Sequence, residues 1–174
     1  MRRVAIALSI TLAMLALIPA AASARGPQKN DSVNGHGFVV VDPTTTFDFK
    51  VSAHTLSSTT TAATGNMWIS ALASDATGTT IKLQIWADVF CTSVLTINGE
   101  VRGHIYRTEP DLLTAPSDLV FNVSDQSPFS NLPDLFSATT TPSGVAGCTE
   151  PPPPGEFEVA KGEITVNDEG PPAP

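Results

Sequence analysis

The sequence is poor in positive charge, in aromatic residues and in cysteine. Nine lysines and arginines stand against 17 aspartates and glutamates, so the formal net charge is −8 with histidine neutral. A negative surface of this size repels nucleic acids and anionic lipids, and the composition therefore excludes both as partners. Aromatic residues make up 6% of the 174 residues, which is too few to supply a long, aromatic-lined sugar cleft of the glycosidase type.

The chain also lacks the apolar period of an amphipathic helix over any stretch of ten or more residues. Apolar and polar residues alternate instead, most clearly over residues 47–53 and 81–90. Such alternation is typical of strands with one face in solvent. Turn-forming residues separate these stretches, so we predict one antiparallel all-β domain of about seven to nine strands. A β-sandwich and a β-barrel fit this pattern equally well.

The region after Cys91 has two interpretations. Residues 94–97 and 101–106 could form a hairpin with a type I′ turn at Asn98-Gly99. The same residues could instead form one long strand that bends at Gly99 and Gly103.

The first 24 residues have the pattern of a signal peptide. Arg2 and Arg3 precede an apolar run, Pro19 ends it, and Ala22-Ser23-Ala24 supplies the small residues that signal peptidase recognises. The run is shorter than the roughly 20 residues that a membrane-spanning helix needs. We therefore predict cleavage near Ala24 and a secreted, extracellular or periplasmic protein with no membrane span after cleavage.

The remaining chain divides into three predicted parts. Residues 25–34 are polar and without pattern, which indicates a flexible lead-in. Residues 35–168 form the β domain, and residues 169–174 form a disordered, proline-rich tail. We expect the mature chain to be a monomer.

The two cysteines, Cys91 and Cys148, both lie in the part that is predicted to be exported. In an oxidising compartment two thiols most simply form one intramolecular disulfide. A metal pair or a redox dithiol would be expected to show a Cys-x-x-Cys motif or nearby histidines, which the sequence lacks. Closing a loop of this length should stabilise the fold by about 4 kcal/mol.

Short motifs along the mature chain carry a resemblance. They include residues 35–38 (GHGF), 47–53 (FDFKVSA), 91–94 (CTSV), 134–137 (DLFS) and 162–166 (GEITV). In this order they resemble an uncharacterised family of exported bacterial all-β domains with no assigned function. The resemblance implies the fold and export, and it implies no chemistry.

Catalytic and metal-binding patterns are missing. No Gly-x-Ser-x-Gly motif marks a nucleophile. His36, His54 and His104 are 18 and 50 residues apart, whereas zinc sites usually have two ligands close in sequence. We therefore predict no catalytic residue, no cofactor and no metal.

Two groups of residues remain as candidate binding sites. Trp86 and Asp88 share one face of a predicted strand, and with Trp68 they could form a carbohydrate-binding face, but we favour the alternative in which both tryptophans pack in the core. Asp118, Asp125 and Asp134 could supply the oxygen ligands of a weak calcium site, although they lack the dense spacing of a calcium loop.

These observations predict a secreted, non-catalytic binding or surface-interaction domain whose ligand or extracellular partner is unknown. One alternative is a β-barrel carrier of a small apolar ligand, lined by the inward faces of residues 47–53 and 81–89. A less favoured alternative is a small secreted hydrolase that uses dispersed residues.

Overall fold

The computed structural model describes residues 30–57, 60–74, 77–111, 115–128, 130–144, 147–149 and 151–169. The predicted signal peptide, the first half of the lead-in (residues 25–29) and nearly all of the tail lie outside these residues. The described residues form eight strands: β1 (Ser32–Asp42), β2 (Thr45–Thr55), β3 (Ala63–Ser74), β4 (Thr80–Leu95), β5 (Asn98–Glu109), β6 (Ser117–Ser124), β7 (Leu135–Pro142) and β8 (Phe157–Asn167). Within the described part of the chain, no helix is long and apolar enough to cross a membrane.

The eight strands form a single antiparallel sheet that closes on itself. Each strand pairs with the next, and β1 pairs with both β2 and β8, in the strand order of a closed barrel. The prediction of an antiparallel all-β domain is thus confirmed, and the strands make one sheet. β1 begins at Ser32, so the last three residues of the predicted lead-in belong to the sheet.

Apolar side chains fill the middle of this ring. Phe49 and Phe136 stack with their ring centroids 3.9 Å apart, and Phe121 meets Phe136 edge-on at 4.8 Å. All three rings are at most 2% exposed. The alternation predicted for residues 81–90 is confirmed at Ile85 and Ala87, which are buried between outward-facing polar or aromatic neighbours.

β4 and β5 form the hairpin, but the turn is not at Asn98-Gly99. β4 runs on past Cys91, and the connection is made by Thr96, whose φ is 59°, and Ile97. Gly99 is buried within β5, where a Cβ would lie 2.7 Å from the side chain of Val33. Close packing, and not a turn, is therefore the reason for glycine at this position.

The disulfide between Cys91 and Cys148 is confirmed, with Cα atoms 5.8 Å apart. It holds the segment between β7 and β8 against the outer side of β5 and β6. Two hydrogen bonds extend this attachment: the Thr149 N–H donates to the Glu100 carboxylate at 2.9 Å, and the Gly155 N–H donates to Ser124 Oγ at 3.2 Å. We call the described residues between β7 and β8, which are 143–144, 147–149 and 151–156, the covering segment.

The first and last described residues meet at one end of the ring. The Glu169 N–H donates to the Asp31 carboxylate at 3.1 Å. Partial burial raises the pKa of Asp31; the hydrogen bond from Glu169 opposes this shift, and the charges of Asp168 and Glu169 add to it. This end also carries the β4–β5 turn, since the Thr96 N–H donates to the Asp168 carboxylate at 2.7 Å.

Candidate functional site

One row of side chains crosses the outer face of five strands. Strand register places the following residues opposite one another in order, from β1 to β5: His36, Lys50, Trp68, Trp86 and Arg107. We call these five residues the aromatic row. Because neighbouring strands lie about 4.8 Å apart, the row is roughly 19 Å long.

The two tryptophans form the centre of the aromatic row. Trp68 and Trp86 are directly opposite each other on β3 and β4, and both are half-buried. They face outward because their neighbours Ile69 and Ile85 point into the core. The alternative that both tryptophans lie in the core is therefore wrong.

Charged groups flank the tryptophans. The guanidinium of Arg107 lies over the Trp86 ring, 4.6 Å from its centroid, and the same group is paired with Glu109. Asp88 is exposed on the same outer face. It lies between Asn66 of β3 and His104 of β5, one register step from the row. The structure thus brings together all three residues of the predicted ligand face, and it adds cations that sequence reasoning had not assigned to this face.

A depression of about 480 Å³ opens beside Trp68, over β1, β2 and β8. It is lined by His36, Gly37, Phe38, Asp48, Phe49, Lys50, Trp68, Lys161 and Gly162. We call it the row depression. It adjoins three members of the aromatic row and gives this otherwise open face a concave part.

Glycine residues and a β-bulge shape the row depression. The β1–β8 register shifts between Phe38 and Val39, which leaves Ala160 without a partner on β1. Gly162 has a φ of +112°, and a Cβ there would collide with the backbone carbonyl of His36. Gly37 is its partner on β1, where a Cβ would lie 2.7 Å from the Val159 side chain on the core side. Two glycines therefore let the strands approach closely here.

The predicted calcium residues do not form one site. Asp125 accepts hydrogen bonds from the backbone N–H groups of Ser127 and Val166, and Asp134 accepts them from Gln126 and Ile164. β7 and β8 pair at only two positions. The two carboxylates therefore accept hydrogen bonds from β8 where pairing with β7 is missing. Among the described residues, no three His, Cys, Asp or Glu side chains are grouped as metal ligands.

Asp118, the third predicted calcium ligand, pairs with a histidine. It is buried, and its Oδ1 is 2.7 Å from His104 Nδ1 and accepts a hydrogen bond from Ser143 Oγ at 2.8 Å. The His104 ring stacks on Phe90 at 4.2 Å. The three residue types of a hydrolytic triad are present, but the serine bonds to the aspartate and not to the histidine, so this contact does not activate Ser143 as a nucleophile.

An apolar opening lies at the end of the ring opposite to Asp31. It has a volume of about 290 Å³ and is lined by Phe47, Ile69, Ala71, Leu83, Ile85, Leu119, Ala138, Thr139 and Thr140. We call it the apolar mouth. Phe47, Leu83 and Ile85 belong to the inward faces that were predicted to line a carrier cavity, but the phenylalanine cluster fills the ring beyond them.

Comparisons with known proteins found no relative. No family model matches the chain, and neither a curated protein nor a solved structure matches it. The resemblance to exported bacterial domains therefore stays a prediction. The function has to be argued from the sites themselves.

Proposed function

We propose that the protein is an exported, non-catalytic binding domain whose binding surface is the aromatic row with the row depression. The observation that carries the proposal is the position of Trp68 and Trp86, side by side on the outer face of the sheet. They are the only tryptophans in the sequence. Large aromatic side chains that are left half-exposed together are characteristic of binding surfaces.

The side chains around the tryptophans favour a carbohydrate ligand. A sugar ring presents a flat C–H face, which can lie on an indole ring, and hydroxyl groups at its edge. Asn66, Gln84 and Asp88 occupy the register positions beside the tryptophans and supply hydrogen-bond donors and acceptors for such hydroxyls. The length of the row suits a chain of several sugar rings better than a single one.

The disulfide and the N-terminal pattern support export. A disulfide is compatible with an oxidising compartment, and residues 1–24 have the sequence pattern of a signal peptide. Absence of a serine–histidine contact at His104 supports a binding role over the hydrolase alternative.

The test is binding to a panel of soluble polysaccharides, measured by calorimetry on the wild type and on Trp68→Ala and Trp86→Ala. We expect each substitution to weaken binding tenfold or more, because truncating a central aromatic residue of a binding surface typically costs about 1–2 kcal/mol or more. Tyr106→Ala is the matched control, since Tyr106 is a 60% exposed aromatic residue outside the row. Equal affinity of all four proteins for every polysaccharide that binds would contradict the proposal.

The apolar mouth favours a second candidate function, the carriage of a small apolar ligand. None of its lining residues is charged, and apolar cavities of this order of size bind molecules such as benzene. Benzene should therefore shift the NMR signals of Ile69, Leu83 and Leu119 in the wild type. The cavity-filling variant Ala138→Leu should abolish these shifts and leave polysaccharide binding unchanged. Shifts that persist in Ala138→Leu would reject the mouth as the site.

A further inference from the structure

We infer that the row depression binds an anionic sugar residue, so that the ligand of the aromatic row is a glycan chain that carries carboxylate or sulfate groups. This inference rests on the proposed function and specifies the class of its ligand.

Basic side chains outnumber acidic ones among the residues that line the row depression. Lys50, Lys161 and His36 line it against one acid, Asp48, and a second acid, Glu163, lies opposite His36 on β8 at its edge. The chain as a whole has 17 acidic residues against nine lysines and arginines. An anionic ligand is repelled by the acidic remainder of the surface. It should therefore bind where basic side chains are grouped, as they are in the row depression.

The two lysines are available to a ligand. Among the described residues, the ion pairs of basic side chains involve Arg102 with Glu100, His104 with Asp118, and Arg107 with Glu109. Neither Lys50 nor Lys161 has a carboxylate partner in that part of the chain, and both are exposed. The ammonium groups can therefore turn to an incoming anion without first breaking an ion pair.

The strand register places Lys50 next to Trp68 in the aromatic row. Lys50 is directly opposite Trp68, and such cross-strand neighbours have Cβ atoms about 5 Å apart. A sugar ring lying on Trp68 would bring a substituent at its edge within reach of the Lys50 ammonium. Lys161, opposite Phe38 on the far side of the depression, provides a second ammonium for the same substituent.

The backbone supports this assignment. The β-bulge at Ala160 and the positive φ of Gly162 give the β1–β8 pair its local irregularity, and Lys161 lies between these two residues. Side chains are excluded at both glycines, because a Cβ at Gly37 would meet the core side chain of Val159 at 2.7 Å and a Cβ at Gly162 would collide with the backbone carbonyl of His36. The irregular pairing that these glycines permit sets the position of Lys161 opposite Phe38 at the edge of the depression.

The test compares polygalacturonate with its methyl ester, which has the same sugar rings without the charge, and with a sulfated polysaccharide. We expect polygalacturonate or the sulfated chain to bind at least tenfold more tightly than the neutral ester at low salt. This preference should fall as salt rises. Lys50→Gln and Lys161→Gln should each reduce the preference severalfold, so that the affinity for the charged chains falls by a larger factor than the affinity for the neutral ester. Trp68→Ala should weaken the binding of charged and neutral chains alike.

Lys82→Gln is the matched control, because Lys82 is exposed on the outer face of β4 but does not line the depression. A loss of preference in Lys82→Gln equal to that in Lys50→Gln would overturn the inference in favour of a general charge effect.

Equal affinity for the ester and the charged chains would also overturn the inference, while the proposed function would stand. A failure of all polysaccharides to bind would instead reject the proposed function itself. Preferences confined to one of the two charged polysaccharides would support the inference and identify the anionic group as carboxylate or sulfate.

Discussion

The two halves of the outer surface of this closed sheet are built in opposite ways. Over β5 and β6 the covering segment buries polar groups: Glu100 is 1% exposed and Asp118 is 0% exposed. The part of β1 to β4 that carries the aromatic row is bare by comparison: Trp68 and Trp86 face outward, and Lys50 and Asp88 beside them are exposed. The covered half therefore buries polar groups, most of them with internal partners, although Asp118 Oδ2 and Asn122 Oδ1 have none among the described residues. The bare half instead leaves aromatic and cationic groups available for a ligand.

This difference separates stability from binding. A polar group that is buried with its partners makes the fold dependent on those partners, because losing one partner leaves the other desolvated. An exposed aromatic ring on a sheet contributes less to folding than a buried one and more to association. Substitutions in the covered half should thus change unfolding, and those in the bare half should change affinity.

The largest expected effect comes from removing the disulfide. In the double variant Cys91→Ser, Cys148→Ser, the free energy of unfolding should fall by about 4 kcal/mol, since the crosslink closes a loop of 57 residues. Urea unfolding measures this loss. Hydrogen exchange should become faster in all strands, because the free energy of global unfolding falls, and a further increase should be confined to β5 and β6, which lose the covering segment as well. An increase of the same size in β2 and β3 as in β5 and β6 would show that the covering segment does not depend on the disulfide.

A smaller effect is expected at the ion pair beneath the covering segment. Glu100 accepts a hydrogen bond from Arg102 Nε at 2.6 Å and one from the Thr149 N–H. Glu100→Ala leaves the Arg102 side chain, which is 12% exposed, without its carboxylate. Removing one partner of a buried pair costs about 3–5 kcal/mol, and because this pair is at the surface of the sheet we expect roughly 3 kcal/mol by urea unfolding.

The smallest effect is expected from the matched pair at the end of β5 that joins the aromatic row, where the side chains are exposed. Glu109 pairs with Arg107, and their side chains are 48% and 57% exposed. Exposed pairs contribute about 0–1 kcal/mol, so Glu109→Ala should leave the urea midpoint almost unchanged. Equal losses of stability in Glu100→Ala and Glu109→Ala would remove the distinction between the two halves.

The strands could be predicted because alternation is a local property of the sequence. Residues 47–53 and 81–89 alternate without interruption, and both lie in strands as predicted. The extension of β4 beyond Cys91 was missed because the bulge at Phe90 breaks the alternation at that point. The turn was misplaced because Asn98-Gly99 has the composition of a hairpin turn, while packing against Val33 requires glycine there.

The candidate site could be predicted only in part, because it depends on register. Trp86 and Asp88 share a face by simple alternation, and that much was visible in the sequence. Placing Lys50 opposite Trp68, and Lys161 across the depression, requires the pairing of β2 with β3 and of β8 with β1. Strand pairing of this range leaves no local pattern in a single sequence.

The acidic residues show a different limit. A carboxylate that binds calcium and one that accepts backbone N–H groups look the same in the sequence. At Asp125 and Asp134 the acceptors are used to join β8 to the loop between β6 and β7. Only the weak β7–β8 pairing, which the sequence does not reveal, explains why carboxylates are needed there.

The meeting of Asp31 and Glu169 has a consequence for how the domain can be engineered. Because these residues are hydrogen-bonded to each other, a short linker could join them and turn the ring of strands into a covalent circle. New termini could then be opened at the exposed Pro43-Thr44 turn at the opposite end without removing any strand. A protein fused to the new termini would lie beside the apolar mouth. A protein fused next to Asp31 or Glu169 in the unpermuted chain would lie at the opposite end of the ring, away from the mouth.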